Sequence, residues 1–185
     1  MRKTAQLLAA SLGLGIGVLC AFAGSGVWLD VPFVKQAPEG CGAACISMVM
    51  QYWSRNAPGT SERDADAAKI QQQLFNRERG GILASDMEAY FRQKDFDVFA
   101  FHGQWSDLET HLSKGRPLIV CLREGGAFQH SLHYVVVVGA DDAQNTVLLN
   151  DPAGRKLARL DRAHFEKRWA AMDHWTLLAL PRQAR

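Results

Sequence analysis

The chain has 185 residues, 48% of them hydrophobic and 22% charged, and a formal net charge of +2. That length and apolar share support one domain with a substantial core. Arg2 and Lys3 precede an apolar segment; without them 21 − 2 = 19 basic groups face 19 acidic ones, and so balanced a surface lacks the clustered Lys and Arg that nucleic-acid binding requires.

In chain order, Met1-Arg2-Lys3 is a short basic region, Leu7 to Ala23 is apolar, and Ala21-Phe22-Ala23 is an A-x-A cleavage signal. Residues 1–23 therefore read as a signal peptide and 24–185 as a single exported domain, periplasmic or extracellular. The alternative is an uncleaved N-terminal anchor, in which case this segment would be the chain's membrane contact. Cys20 raises lipidation, but Leu19 is bulky where lipoprotein signals carry a small residue. Cleavage would leave Cys41, Cys45 and Cys121, an odd number, so at least one thiol stays unpaired or bonds another molecule in an oxidising compartment.

Asp30 to Val34 is a short extended segment, and Gln36 to Gly40, with Pro38 and Gly40, is a loop. From Cys41 to Arg55 the spacing predicts a helix whose polar residues, Ser47, Gln51, Ser54 and Arg55, form one narrow stripe, so the helix is central and buried. After the polar stretch Ser54 to Asp66, helices are expected at 65–75, 86–94 and 107–114. The last two carry S-x-x-E capping boxes, Ser85 with Glu88 and Ser106 with Glu109. Beyond Gly115 the period changes. Pro117 to Leu122, Leu132 to Gly139, Thr146 to Asn150 and Trp175 to Leu180 are strand-like runs, interrupted by a helix from Arg162 to Trp169 capped by Asp161. Helices followed by mostly antiparallel strands make an α+β fold, a helical half docked on a sheet half.

A cysteine at the head of a buried helix meets free amides and the positive end of the helix dipole, both of which favour thiolate. Cys41 holds that position, and Gly40 and Gly42 on either side keep bulk away from the sulfur, which would admit a substrate carbonyl. Cys45, one turn on, reads as an inert apolar residue. A thiolate nucleophile needs a base held in one tautomer. His133 opens one strand and Asp151 follows the next; if Gly139 pairs with Asn145, His133 lies directly opposite Asp151 on the same face. Among the other histidines, His130 is a rival base, while His102, His111, His164 and His174 read as surface or packing residues. Gln36, in the loop before Cys41, could donate its amide to a developing oxyanion.

Four blocks carry a resemblance: Val31-Pro32-Phe33-Val34-Lys35-Gln36, Cys41-Gly42-Ala43-Ala44, His133-Tyr134-Val135-Val136-Val137 and Asn150-Asp151-Pro152-Ala153. Through them the chain resembles the bacteriocin-processing, double-glycine-leader cysteine peptidase family and its stand-alone relatives, with further likeness over Phe165 to Trp169 and Thr176 to Pro181. The resemblance implies a papain-like cysteine peptidase fold, with Cys41 as nucleophile, His133 as base, Asp151 as its orienting carboxylate and Gln36 supporting the oxyanion. It implies a peptide or protein substrate and no cofactor or metal. The best-known members are fused to a membrane transporter and its ATPase, neither of which is in this chain, so the double-glycine leader does not carry over with the fold. An acyltransferase or amidase of the same fold and a catalytically silent peptide-binding module stay open beside the peptidase. Metal binding by Cys41, Cys45, His130 and His133, or redox exchange between the two cysteines, fits the spacing poorly.

Overall fold

The computed structural model describes residues 26–57, 62–125 and 131–182; the expected signal segment, Cys20 and His130 lie outside the described residues. Five helices and seven strands follow one another: β1 Val27–Trp28, α1 Cys41–Asn56, a 3₁₀ turn Glu62–Ala65, α2 Ala67–Leu74, α3 Ala84–Gln93, β2 Phe96–His102, α4 Trp105–Ser113, β3 Leu118–Glu124, β4 Ser131–Asp141, β5 Thr146–Asn150, β6 Ala158–Asp161, α5 Arg162–Ala170 and β7 Trp175–Pro181. The strands form one sheet in the order β2-β7-β3-β4-β5-β6, with β1 beside the far end of β4. Every pairing is antiparallel. The expected α+β architecture is present.

The sheet is covered on both faces. Ile119, Cys121, Tyr134, Val136, Val138, Leu177 and Ala179 pack with α1 and with Ile70, Met87 and Phe91 of α2 and α3. Their neighbours Leu118, Val120, Leu122, Val135, Val137 and Leu178 pack with Trp105, Leu108, Leu112, Phe165 and Trp169 of α4 and α5. Burial of both faces is why β3 and β4 read as unbroken apolar runs rather than as alternation. Helix α1 is the centre of the first layer. Ile46, Met48 and Met50 are fully buried, each contributing roughly 1.5 to 3 kcal/mol. Ser47, expected on the polar stripe, is also buried, with its hydroxyl donating to the Ala65 carbonyl and accepting from the Gln51 amide.

Several local expectations are corrected. Helix α3 begins after Leu83 and no side chain caps it, so Ser85 lies inside the helix. Helix α4 begins at Trp105, and the carboxylate that accepts from the N-cap backbone, that of Gln104, is Asp107 at 2.8 Å rather than Glu109. In both cases the helix extends N-terminally, which in α4 brings the buried Trp105 into the first turn. The extended start of the domain is β1, ahead of Asp30 to Val34. Strands β2 and β6 sit at the two edges of the sheet and were not anticipated. The Asp161 cap of α5 is as expected, accepting from the His164 N–H at 3.2 Å.

Candidate active site

The head of α1 has no capping side chain: Gly40 is the N-cap, and the side chain that meets a first-turn amide is that of Cys41, through the Gly42 N–H. The Gly40 N–H closes on the Ala37 carbonyl at 3.0 Å and its own carbonyl accepts from Ala44. This tight turn, with Glu39 in the left-handed region at φ 55°, presents Cys41 as the first helical residue. Gly40 and Gly42 act differently from the expectation that they open space at the sulfur. A Cβ on Gly42 would meet the Ile82 Cβ at 3.0 Å, and one on Gly40 would meet Gln71 Oε1 at 2.7 Å. Both are therefore packing glycines that let the helix start sink against α2 and the segment before α3.

His133 Nε2 donates to Asp151 Oδ1 at 2.7 Å. The pairing that achieves this is not the expected direct opposition. Near the turn Asp141 faces Thr146 and Gly139 faces Leu148; then the register shifts by one, and Val137 faces Leu149 and Val136 faces Asn150. Continued one step, that register sets Asp151 across from Val135, two residues from His133 and therefore on the same face. The bulge at Val138 is decisive. Without it, the register at the turn would set Asp151 across from Val136, on the opposite face. The bulged residue is held by its carbonyl, which accepts from the Leu29 N–H at 2.7 Å.

The last β4–β5 pair is Val136 with Asn150, so the β4 backbone at His133 and Tyr134 has no β5 neighbour. The head of α1 occupies that edge, where Cys41 accepts from the Tyr134 N–H and hydrogen-bonds the His133 side chain. With Nε2 engaged by Asp151, the ring nitrogen left for the sulfur is Nδ1. Asp151 is fixed in turn by the Ala153 N–H, donated to its Oδ1 at 3.0 Å.

Gln36 is tied to the same turn, its N–H donating to the Pro152 carbonyl at 3.1 Å. Lys35 Nζ reaches the carbonyls of Ala153 and Gly154 at 2.7 and 3.1 Å. Fully buried Asn150 donates to the Val31 carbonyl at 3.0 Å and accepts from the Leu157 N–H at 3.1 Å. One polar side chain thus joins the loop carrying Gln36 to the strand end carrying Asp151. The Oε1 of Gln36 is buried with no hydrogen-bond partner.

The electrostatics follow from this packing. Burial pushes the Cys41 thiol up, but the hydrogen bond with His133, the Tyr134 and Gly42 N–H groups and the imidazole charge outweigh it, so the thiol lies below its ordinary range. Burial acts to lower His133, yet the hydrogen bonds with Asp151 and Cys41 and the charges of Cys41 and Glu124 raise the ring to about 9. The His133 hydrogen bond is the main reason that Asp151 is held low, against its own burial. Each shift favours a thiolate facing an imidazolium backed by a carboxylate.

The other two cysteines differ. Cys45 is fully buried and pushed well up by burial, and burial raises Cys121 to about 12. All three described cysteines are free thiols. Among the described residues the one cluster able to reach a metal ion is Glu124, His133 and Asp151, with donor atoms within 4.8 Å of one another; it does not include the cysteines. Glu124 is the residue that sequence reasoning missed. Leu122 faces His133 across β3 and β4, so Glu124, two residues on, shares its face; only the strand register, set across the residues between β3 and β4, reveals it.

A family model described as the Peptidase_C39 like family matches residues 28–176. No curated protein matches the chain. Among solved structures, a C39-like peptidase from Bacillus anthracis aligns over 86% of this chain and 100% of its own at 18% identity and a TM-score of 0.65. The peptidase domain of Streptococcus ComA, a bi-functional ABC transporter involved in a quorum-sensing pathway, aligns over 80% and 97% at 20% identity and 0.58. A double glycine motif protease from an AMS/PCAT transporter, solved in complex with the leader peptide, aligns over 84% and 97% at 18% identity and 0.59.

Proposed function

The chain belongs to the Peptidase_C39 like family and has the fold of its cysteine peptidases, and from that premise we propose that it is an exported thiol peptidase working through Cys41, His133, Asp151 and Gln36. The observation that carries the proposal is the hydrogen-bonded line from Cys41 through His133 to Asp151, whose His–Asp link is 2.7 Å. Cys41, its proton already on His133, attacks an amide carbonyl. The new oxyanion is met by the Gln36 amide and the free N–H groups at the head of α1. His133 passes its proton to the departing amine, and the C–N bond breaks to leave an acyl-cysteine. Water, deprotonated by the now neutral imidazole, hydrolyses the thioester and restores the pair. Asp151 holds the ring in one tautomer throughout and stays ionised. The substrate is a peptide or protein chain, met outside the cytoplasm after removal of residues 1–23.

The test is intact-mass analysis after exposure to a thiol-directed peptide electrophile near neutral pH. Wild type gains one adduct, Cys41→Ala gains none, and His133→Ala labels at least about a hundredfold more slowly, the lower range for a positioned base. Labelling of Cys41 at the rate of a free cysteine in wild type and His133→Ala alike refutes the mechanism. Export is tested separately by N-terminal sequencing of the mature protein, for which a start at Gly24 is expected.

A further inference from the structure

His133 has a second acidic neighbour. Glu124 ends β3, and Arg168 of α5 holds its carboxylate in an ion pair while also donating from Nε to the Arg123 carbonyl at 3.3 Å. Across β3 and β4, Leu122 faces His133 and Glu124 faces Ser131, so Glu124 is a same-face diagonal neighbour of the imidazole on one side. Asp151 is the corresponding diagonal neighbour on the other side. One carboxylate oxygen of each lies within 4.8 Å of the other and of a His133 ring nitrogen. Two carboxylates, one from the end of β3 and one from the turn after β5, therefore converge on the imidazole.

We propose that Glu124, clamped by Arg168, is a second positioning carboxylate for His133, acting from the strand opposite Asp151. The inference rests on the proposed role of His133 and adds a residue that the four family blocks do not contain. The groups facing the ring are Cys41 from α1, Asp151 from the turn after β5 and Glu124 from β3. Arg168 stands behind Glu124 on α5, and Lys35 reaches the Asp151 turn from the N-terminal loop. Asp151 takes the Nε2 hydrogen and fixes the tautomer. Glu124 makes no hydrogen bond to the ring; its charge favours the imidazolium, and the Arg168 clamp stops it from competing for Nε2. The charge of Glu124 acts on the ring and is not among the groups that act on the thiol, so the net effect stabilises the charged thiolate–imidazolium pair over its neutral form.

The experiment is an NMR titration of histidine-labelled full-length protein in a Cys41→Ala background, with and without Glu124→Gln. The background removes the thiolate, so the outcome is independent of whether Cys41 is a nucleophile. Glutamine still accepts from Arg168 and preserves the bridge. Loss of a unit charge within 4.8 Å, screened as fully as by bulk water at low ionic strength, lowers the His133 midpoint by at least about 0.6 of a pH unit, roughly a fourfold change. Glu124→Ala, a second neutral variant, must move the midpoint in the same direction. An unchanged or raised midpoint overturns the proposal, as does an equal fall at His102 and His111, which would mark a global change.

Discussion

Replacing Asp151 by Asn leaves an oxygen for the Ala153 N–H but removes the charge that faces His133 at 2.7 Å. In the native chain the ring is raised from 6.5 to about 9, a preference for the charged form of about 3 kcal/mol at 1.4 kcal/mol per pH unit. The folded value lies above the unfolded one, so this stabilisation is fully present below pH 6.5 and is lost as pH rises through about 9. Burial alone pulls the ring downward, so without Asp151 most of the preference disappears. Urea denaturation of wild type and Asp151→Asn at about pH 6 and about pH 9.5 measures the effect. The variant is expected to be less stable by up to about 3 kcal/mol at the lower pH, with the gap narrowing at the higher one. An equal gap at both values would refute the claim that Asp151 acts on a protonated His133.

Asn150→Ala removes the buried stitch between the Val31 carbonyl and the Leu157 N–H and is expected to cost about 1 to 3 kcal/mol in denaturant midpoint, with faster exchange of the Gln36 amide. Gly42→Ala drives a methyl against the Ile82 Cβ at 3.0 Å and should cost about 1 to 3 kcal/mol in urea denaturation. Cys45 and Cys121, buried and shifted upward, should resist alkylation in the native protein while Cys41 reacts, and all three described cysteines should react in urea.

Much of the scaffold was legible because period and burial agree. Helix α1 was predictable as Cys41 to Arg55 and ends at Asn56, since its apolar face wraps nearly all round. β5 was placed at its observed bounds. The association of His133 with Asp151 was also legible, although by a register that is wrong by two residues; an even error preserves the face, and the bulge at Val138 makes it even. A bulge leaves no mark in an unbroken run of valines. β2 was missed because it is an edge strand with exposed Phe99 and a mixed burial pattern, so no clean alternation marks it. The capping box of α4 failed because starting the helix at Trp105 buries that indole, and burial is worth more than a cap; for α3, where Leu83 and Ser85 are exposed, the structure gives no such reason.

The sulfur comes from the first helix of the domain and its imidazole from a strand near the middle of the sheet. Until β4 has paired and α1 has docked along its open edge, Cys41 is an ordinary thiol, slow toward amides and electrophiles alike. Under the proposed mechanism, a Cys41 reactivity above that of an unfolded cysteine would report completion of the tertiary structure, and its rise during refolding, as Cys45 and Cys121 become protected, would time the final docking step.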